Sequence, residues 1–248
     1  VQRILFTLLF VTVAAPLFAA GTSGTTVVIP IIGRFPGAGG TQWQTDVFIA
    51  NPSTNTPAVT MTFYSATGPQ VSTLNLGAFH TLSLRDIVLN TYGATTAAGP
   101  LEITAPTAIE ARARIYNVGN PAGEFGQSAP GLGLQRLGRQ AYVLGVSGIN
   151  GNRVNAGVTN PNGTTAGVTL TLRSATNAIL HSETFNVPPH GNVQFNDIFA
   201  RFGVTPQEGV AAEFNSAELP IYGYASEVRN DTGDAIFLWG TAPNTGPN

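Results

Sequence analysis

The sequence predicts an all-β protein of two tandem β-sandwich domains related by internal duplication, and three observations predict it. The first is a repeat. Residues 45–68 align with residues 154–177, so that Asn51-Pro52 falls on Asn160-Pro161 and Ser65-Ala66-Thr67 on Ser174-Ala175-Thr176. The second is alternation of period two. Val59, Met61 and Phe63 interleave with Thr60, Thr62 and Tyr64, and Val168, Leu170 and Leu172 interleave with Thr169, Thr171 and Arg173, which is the pattern of strands with one buried face. The third is composition: 29 Gly and 17 Pro with only 10% charged residues suit many short strands joined by turns. A single sheet would leave its apolar face wet, so each unit needs a second sheet across from the first.

Along the chain, residues 1–21 read as a secretory signal segment. Arg3 precedes an apolar stretch from Ile4 to Phe18, and Ala19-Ala20-Gly21 offers small residues for cleavage. The apolar core is short for a spanning helix, which needs about 20 residues, and the alternative to a cleaved signal is an uncleaved anchor. The first sandwich is expected over 25–130. It includes the strand Ile109, Ala111, Ala113 and Ile115, which alternates with Glu110, Arg112, Arg114 and Tyr116. Two short helices are expected at 86–90 and 197–201, each with an Asp at the N-cap and a Gly, Gly93 or Gly203, closing it. Residues 131–139 read as a Gly-rich linker whose three leucines pack at an interface. The second sandwich is expected over 140–242.

The Asn-Pro closing an early strand at Asn51-Pro52 and Asn160-Pro161, the Val-Thr strand after it and the end at Ser65-Ala66-Thr67-Gly68 resemble bacterial secreted tandem immunoglobulin-like domains of the cell-adhesion-related type. The run Gly37 to Trp43 before the first such strand is similar to others of that kind. The second copy lacks the Trp and has Arg153 near its place. The resemblance implies immunoglobulin-like sandwiches at the cell surface. It carries no catalytic residues, because these are packing and turn signatures.

Composition excludes several chemistries. There is no Cys, hence no disulfide, thiolate metal site or Cys nucleophile, and all 11 basic residues are Arg, hence no Schiff-base or P-loop lysine. The net charge is −2 and the Arg residues are scattered, without the clustered basic footprint of a nucleic-acid partner. No Gly-x-Ser-x-Gly elbow is present, and no two carboxylates are placed as a hydrolytic pair. Asp86 and Asp197 read as helix caps, and His80 and His190 as turn residues. The one metal candidate is a calcium-binding turn at Asn230 to Asp234, with Asp231 and Asp234 as ligands, against a plain hairpin turn. The ligand-binding candidates are aromatic: Trp43, Tyr222 and Tyr224 could stack on a sugar or anchor a partner, the alternative being that they cover the seam between domains.

These readings point to a secreted, non-enzymatic surface, adhesive, matrix or fibre component, with no cofactor and no membrane span in the mature chain. The alternative is a carbohydrate-binding module or periplasmic accessory domain. The expected partners are protein or glycan at the cell surface, or further copies of the chain through edge strands.

Overall fold

The alternating segments become antiparallel strands in the computed structural model, which describes residues 22–37, 40–121 and 123–242. The expected export segment, residues 1–21, lies outside the described residues, and no helix among the described residues is long and apolar enough to cross a membrane. The first half contributes β1 (Gly24–Pro36), β2 (Gln42–Ala50), β3 (Ala58–Ser65), β4 (Gly68–Asn75), β5 (Thr81–Leu84), α1 (Ile87–Asn90), β6 (Ala97–Val118), β7 (Phe125–Pro130) and β8 (Leu132–Gly133). The second contributes β9 (Gln140–Val146), β10 (Asn152–Thr159), β11 (Ala166–Arg173), β12 (Ile179–Val187), β13 (Asn192–Phe195), α2 (Ile198–Phe202), β14 (Val210–Ser216), β15 (Tyr222–Arg229) and β16 (Ala235–Trp239).

The two halves share one strand order. In the second, one sheet runs β12-β11-β14-β9 and the other β13-β10-β15-β16. In the first, β4-β3-β6-β1 and β5-β2-β6-β7 repeat those orders, but the 22-residue β6 serves both layers. Its start pairs with β1 and β3 and its end with β2 and β7. In the second half the same run is divided into β14 and β15 by the segment 217–221, whereas β6 continues through both Pro100 and Pro106.

The repeated Asn-Pro has a physical reason. Asn51 is buried, and its Nδ2 donates to the carbonyls of Asn55 (2.7 Å), Leu76 (3.2 Å) and Gly77 (2.9 Å), while its Oδ1 accepts from Ser53 N (3.0 Å). Asn160 does the same with Thr164 (2.8 Å), Val187 (3.2 Å), Pro188 (3.0 Å) and Asn162 N (3.0 Å). One amide thereby satisfies the backbone of two loops that no ladder reaches.

Two expectations need correction here. Asp86 precedes α1 in a left-handed conformation (φ 40°), but its side chain makes no cap hydrogen bond. Its carboxylate instead pairs with the Arg34 guanidinium, whereas Asp197 accepts from Ala200 N at 3.5 Å. The ion pair takes only Oδ2 of Asp86, and the buried Oδ1 has no hydrogen-bond partner among the described residues. The expected linker at 131–139 also begins inside a sheet: Leu132 and Gly133 form β8 and pair with Val28 and Val27 of β1, taking up groups that β1 would otherwise expose. Of the three linker leucines, Leu132 is buried, Leu137 packs partly against the first core and Leu134 stays partly exposed.

The β13-β10-β15-β16 sheet is covered on both faces. Ala156, Val158 and Ala225 face the second half's own core. Tyr222, Tyr224, Val228 and Phe237 join the core cluster of the first half. Hydrogen bonds stitch this seam: Tyr222 hydroxyl to Pro130 O (2.7 Å), Thr159 Oγ1 to Pro30 O (2.7 Å) and Ser226 Oγ to Gln127 Oε1 (2.8 Å).

Candidate functional site

Where the two halves diverge, the outer face of that sheet and the first half enclose a cleft of about 300 Å³. Ile31, Phe35 and Trp43 line it from the first half, and Arg153, Asn155, Gln194, Asn196 and Tyr224 from the second. A second cavity of about 290 Å³ adjoins it, and Trp43 and Arg153 line both. Each volume is near the lower end of ligand pockets, and boundaries between domains are where such sites form.

Strand pleat places these residues. β10 pairs with β15 so that Arg153, Asn155, Gly157 and Thr159 lie opposite Val228, Ser226, Tyr224 and Tyr222, all on the outer face. Gly157 permits the arrangement: a Cβ there would lie 2.4 Å from Cζ of Tyr224, so only glycine lets the ring cross the strand. The Tyr224 ring stacks on Phe237 (centroids 5.3 Å apart, 15°), and its hydroxyl reaches Gln194 Oε1 at 3.0 Å. Burial pushes the phenols of Tyr222 and Tyr224 well above their usual range, so both remain neutral donors.

This placement corrects the expectation of Tyr222 and Tyr224 as a stacking platform. Each is only 1% exposed, and their rings are consumed by the seam, the alternative that the sequence also offered. Trp43 is 8% exposed and forms cleft wall rather than a free surface. Trp239, by contrast, keeps 49% of its surface open on β16.

The turn at Asn230 to Asp234 is also otherwise engaged. Both carboxylate oxygens of Asp231 accept from Arg229 (3.1 and 2.9 Å), which holds that carboxyl down at about 2. Asp234 Oδ1 accepts from Ala235 N (3.0 Å), and the carbonyls of Thr232 and Gly233 accept from Asn120 and Asn117 (2.7 and 3.1 Å). The two carboxylates are thus engaged within the hairpin and the two carbonyls pin it to the first half, and no group of three His, Asp or Glu able to hold a metal occurs among the described residues. Of the duplicated turn histidines, His80 is exposed, while His190 stacks on Tyr64 of the first half (4.5 Å, 7°) with Nδ1 4.0 Å from Glu102 Oε2.

Sequence reasoning missed the amides Gln127, Asn155, Gln194 and Asn196. A signal existed in the comparison of repeats. Glu110, Arg112 and Arg114 of β6 lie opposite Ala50, Phe48 and Asp46 of β2, in the positions that Tyr222, Tyr224 and Ser226 hold opposite β10. A charged face in one copy has become an uncharged aromatic one in the other, which marks the copy that is covered.

No protein-family model matches the chain, and no curated protein matches it. Among solved structures, Thermotoga maritima 1070 is similar at 13% identity over 41% of this chain and 91% of that one, with a TM-score of 0.36. A Parabacteroides merdae β-glucuronidase carrying glycerol in its active site is 11% identical over 81% of this chain and 27% of its own, with a TM-score of 0.19. For a Bacteroides uniformis β-glucuronidase the identity is 10% over 79% of this chain and 25% of its own, with a TM-score of 0.16. The chain spans about a quarter of the length of those β-glucuronidases. Likeness at this level leaves the site to be read from its own residues.

Proposed function

We propose that the protein is an exported, non-catalytic binding protein acting at the cell surface or beyond it, and that the seam cleft holds a hydroxyl-rich ligand of the saccharide class. The observation that carries this reading is the lining. Side-chain amides from three strands and one turn converge beside Trp43 and Phe35, and amides match the donor and acceptor pattern of sugar hydroxyls. The main cleft's lining holds no carboxylate or imidazole to serve as acid or base, which favours binding over hydrolysis. Isothermal titration against a saccharide panel tests it. The intact chain is expected to bind at least one member, and Asn196→Ala or Trp43→Ala to weaken that binding tenfold or more. Silence across the panel overturns the reading.

A second reading, an adhesive or fibre component, is favoured by one observation. Among the described residues the corresponding edge strands β4 and β12 each pair on one side only, β4 carries no charged residue, and Val71 and Ile179 on them are exposed. Such edges invite strand addition by another copy. Light scattering across a concentration series is expected to show growth under this reading, and a monomer at every concentration excludes it.

A further inference from the structure

The hydrogen-bonding inventory of the cleft is one-sided. Asn155 Oδ1 accepts from Asp197 N (3.1 Å), Asn196 Oδ1 from Gln194 Nε2 (2.8 Å) and Gln127 Oε1 from Ser226 Oγ (2.8 Å). Each of these amide oxygens thus already accepts one hydrogen bond, with one lone pair left to it. The amide nitrogens of Asn155, Asn196 and Gln127 have no protein partner among the described residues, so the groups the cleft leaves free for a ligand are weighted towards N–H donors.

Arg153 adds charge of the same sense. It is the one charged side chain lining the main cleft, and it makes no ion pair among the described residues. Its Nη1 donates to Asn230 Oδ1 at 2.8 Å, which steadies the guanidinium and leaves its other donors open. Asp231, which lines the adjoining cavity, is already held by Arg229 on both carboxylate oxygens. The equivalent residue of the first repeat is the neutral Gln44, so the cation appears only in the copy whose outer face meets the cleft.

We propose that Arg153 and the amide donors of Asn155, Asn196 and Gln127 make the cleft a receptor for an acidic saccharide, one bearing a carboxylate or a sulfate on its hydroxylated body. Uncharged donors beside a single guanidinium complement an anionic group, because charge-assisted hydrogen bonds are about twice as strong as neutral ones and each ligand oxygen accepts more than once. The inference rests on the binding reading above and adds the charge of the ligand to it.

The test uses the full chain and two matched pairs of probes: oligogalacturonate with its methyl ester, and a sulfated oligosaccharide with its desulfated parent. At least one acidic member is expected to bind about ten- to hundredfold more tightly than its neutral partner, with the advantage shrinking as salt rises. Arg153→Gln is expected to abolish the preference, and Arg153→Lys, which keeps the charge but loses the planar fork, to retain part of it. Thermal melting of both variants checks that they fold. Which pair shows the preference separates carboxylate from sulfate. Equal binding of acidic and neutral members overturns this inference and leaves the saccharide reading standing. Binding of neither overturns both.

Discussion

Trp43 and Arg153 line the same two cavities from opposite sides of the seam, although they come from nearly equivalent places in the two repeats: Asn152 stands where Trp43 does, and Arg153 where Gln44 does. The two copies differ at both of these adjacent positions, and folding the second copy onto the first brings Trp43 and Arg153 into one cleft.

Trp43 should therefore report ligand. With 8% of its surface exposed at the cleft wall, its emission is expected to shift on saturation with a binding saccharide, and a Trp239→Phe variant should show the same shift. If the shift persisted in Trp43→Phe and vanished in Trp239→Phe, the ligand would be sitting on β16 instead.

Removing the seam anchor should separate polar from apolar contributions. Tyr222→Phe leaves the Pro130 carbonyl unpaired and is expected to cost about 1–2 kcal/mol, while Tyr222→Ala also empties a buried site and is expected to cost about 3–5 kcal/mol. Urea unfolding measures both. An unchanged midpoint for Tyr222→Ala would mean that the halves do not pack through this residue.

Gly157→Ala places a methyl group 2.4 Å from the Tyr224 ring, which must then leave its stack on Phe237. A loss of about 1–3 kcal/mol is expected, together with weaker ligand binding, because Gln194 loses the phenol that positions it. Wild-type stability and affinity in this variant would show that the ring is free to move.

Asn51→Ala and Asn160→Ala should be matched lesions. Each strands three loop carbonyls and one amide N–H, and each is expected to cost about 2–4 kcal/mol in chemical denaturation. A large effect in one and none in the other would refute the equivalence of the two networks.

Glu102 gives the seam a pH dependence. Burial raises its carboxyl above the usual range, with the nearby His190 pulling the other way. The folded state thus holds this proton more tightly than the unfolded state does. The group's contribution to stability is greatest below the ordinary carboxylate range and is lost as pH rises through its folded value. Glu102→Gln, which cannot ionise, is expected to melt higher than wild type at about pH 7, with the difference closing towards about pH 4. A variant less stable at pH 7 would show that attraction to His190 outweighs burial.

Much of the fold was legible in the chain because its signals are local. Period two at 59–64 and 168–173 reports a strand whichever sheet it joins, and Asn51-Pro52 and Asn160-Pro161 report a loop closed by its own side chain. The short helices were legible from Gly93 and Gly203, each in a left-handed turn. The partner of the Asp86 carboxylate was not, because Arg34 lies 52 residues away along the chain.

Strands, turns and the repeat follow from residue order alone, since they depend on neighbours within a few positions or on likeness between two segments. Which face of the second repeat would be covered, and hence that Tyr222 and Tyr224 are wall and not platform, was settled only when β10 and β15 paired and laid their outer face on the first half. The cleft, its free amide donors and the Arg153 guanidinium without an ion pair among the described residues arise in the same way. They are properties of two surfaces meeting, and burial and hydrogen-bond satisfaction at such a meeting depend on residues more than a hundred positions apart.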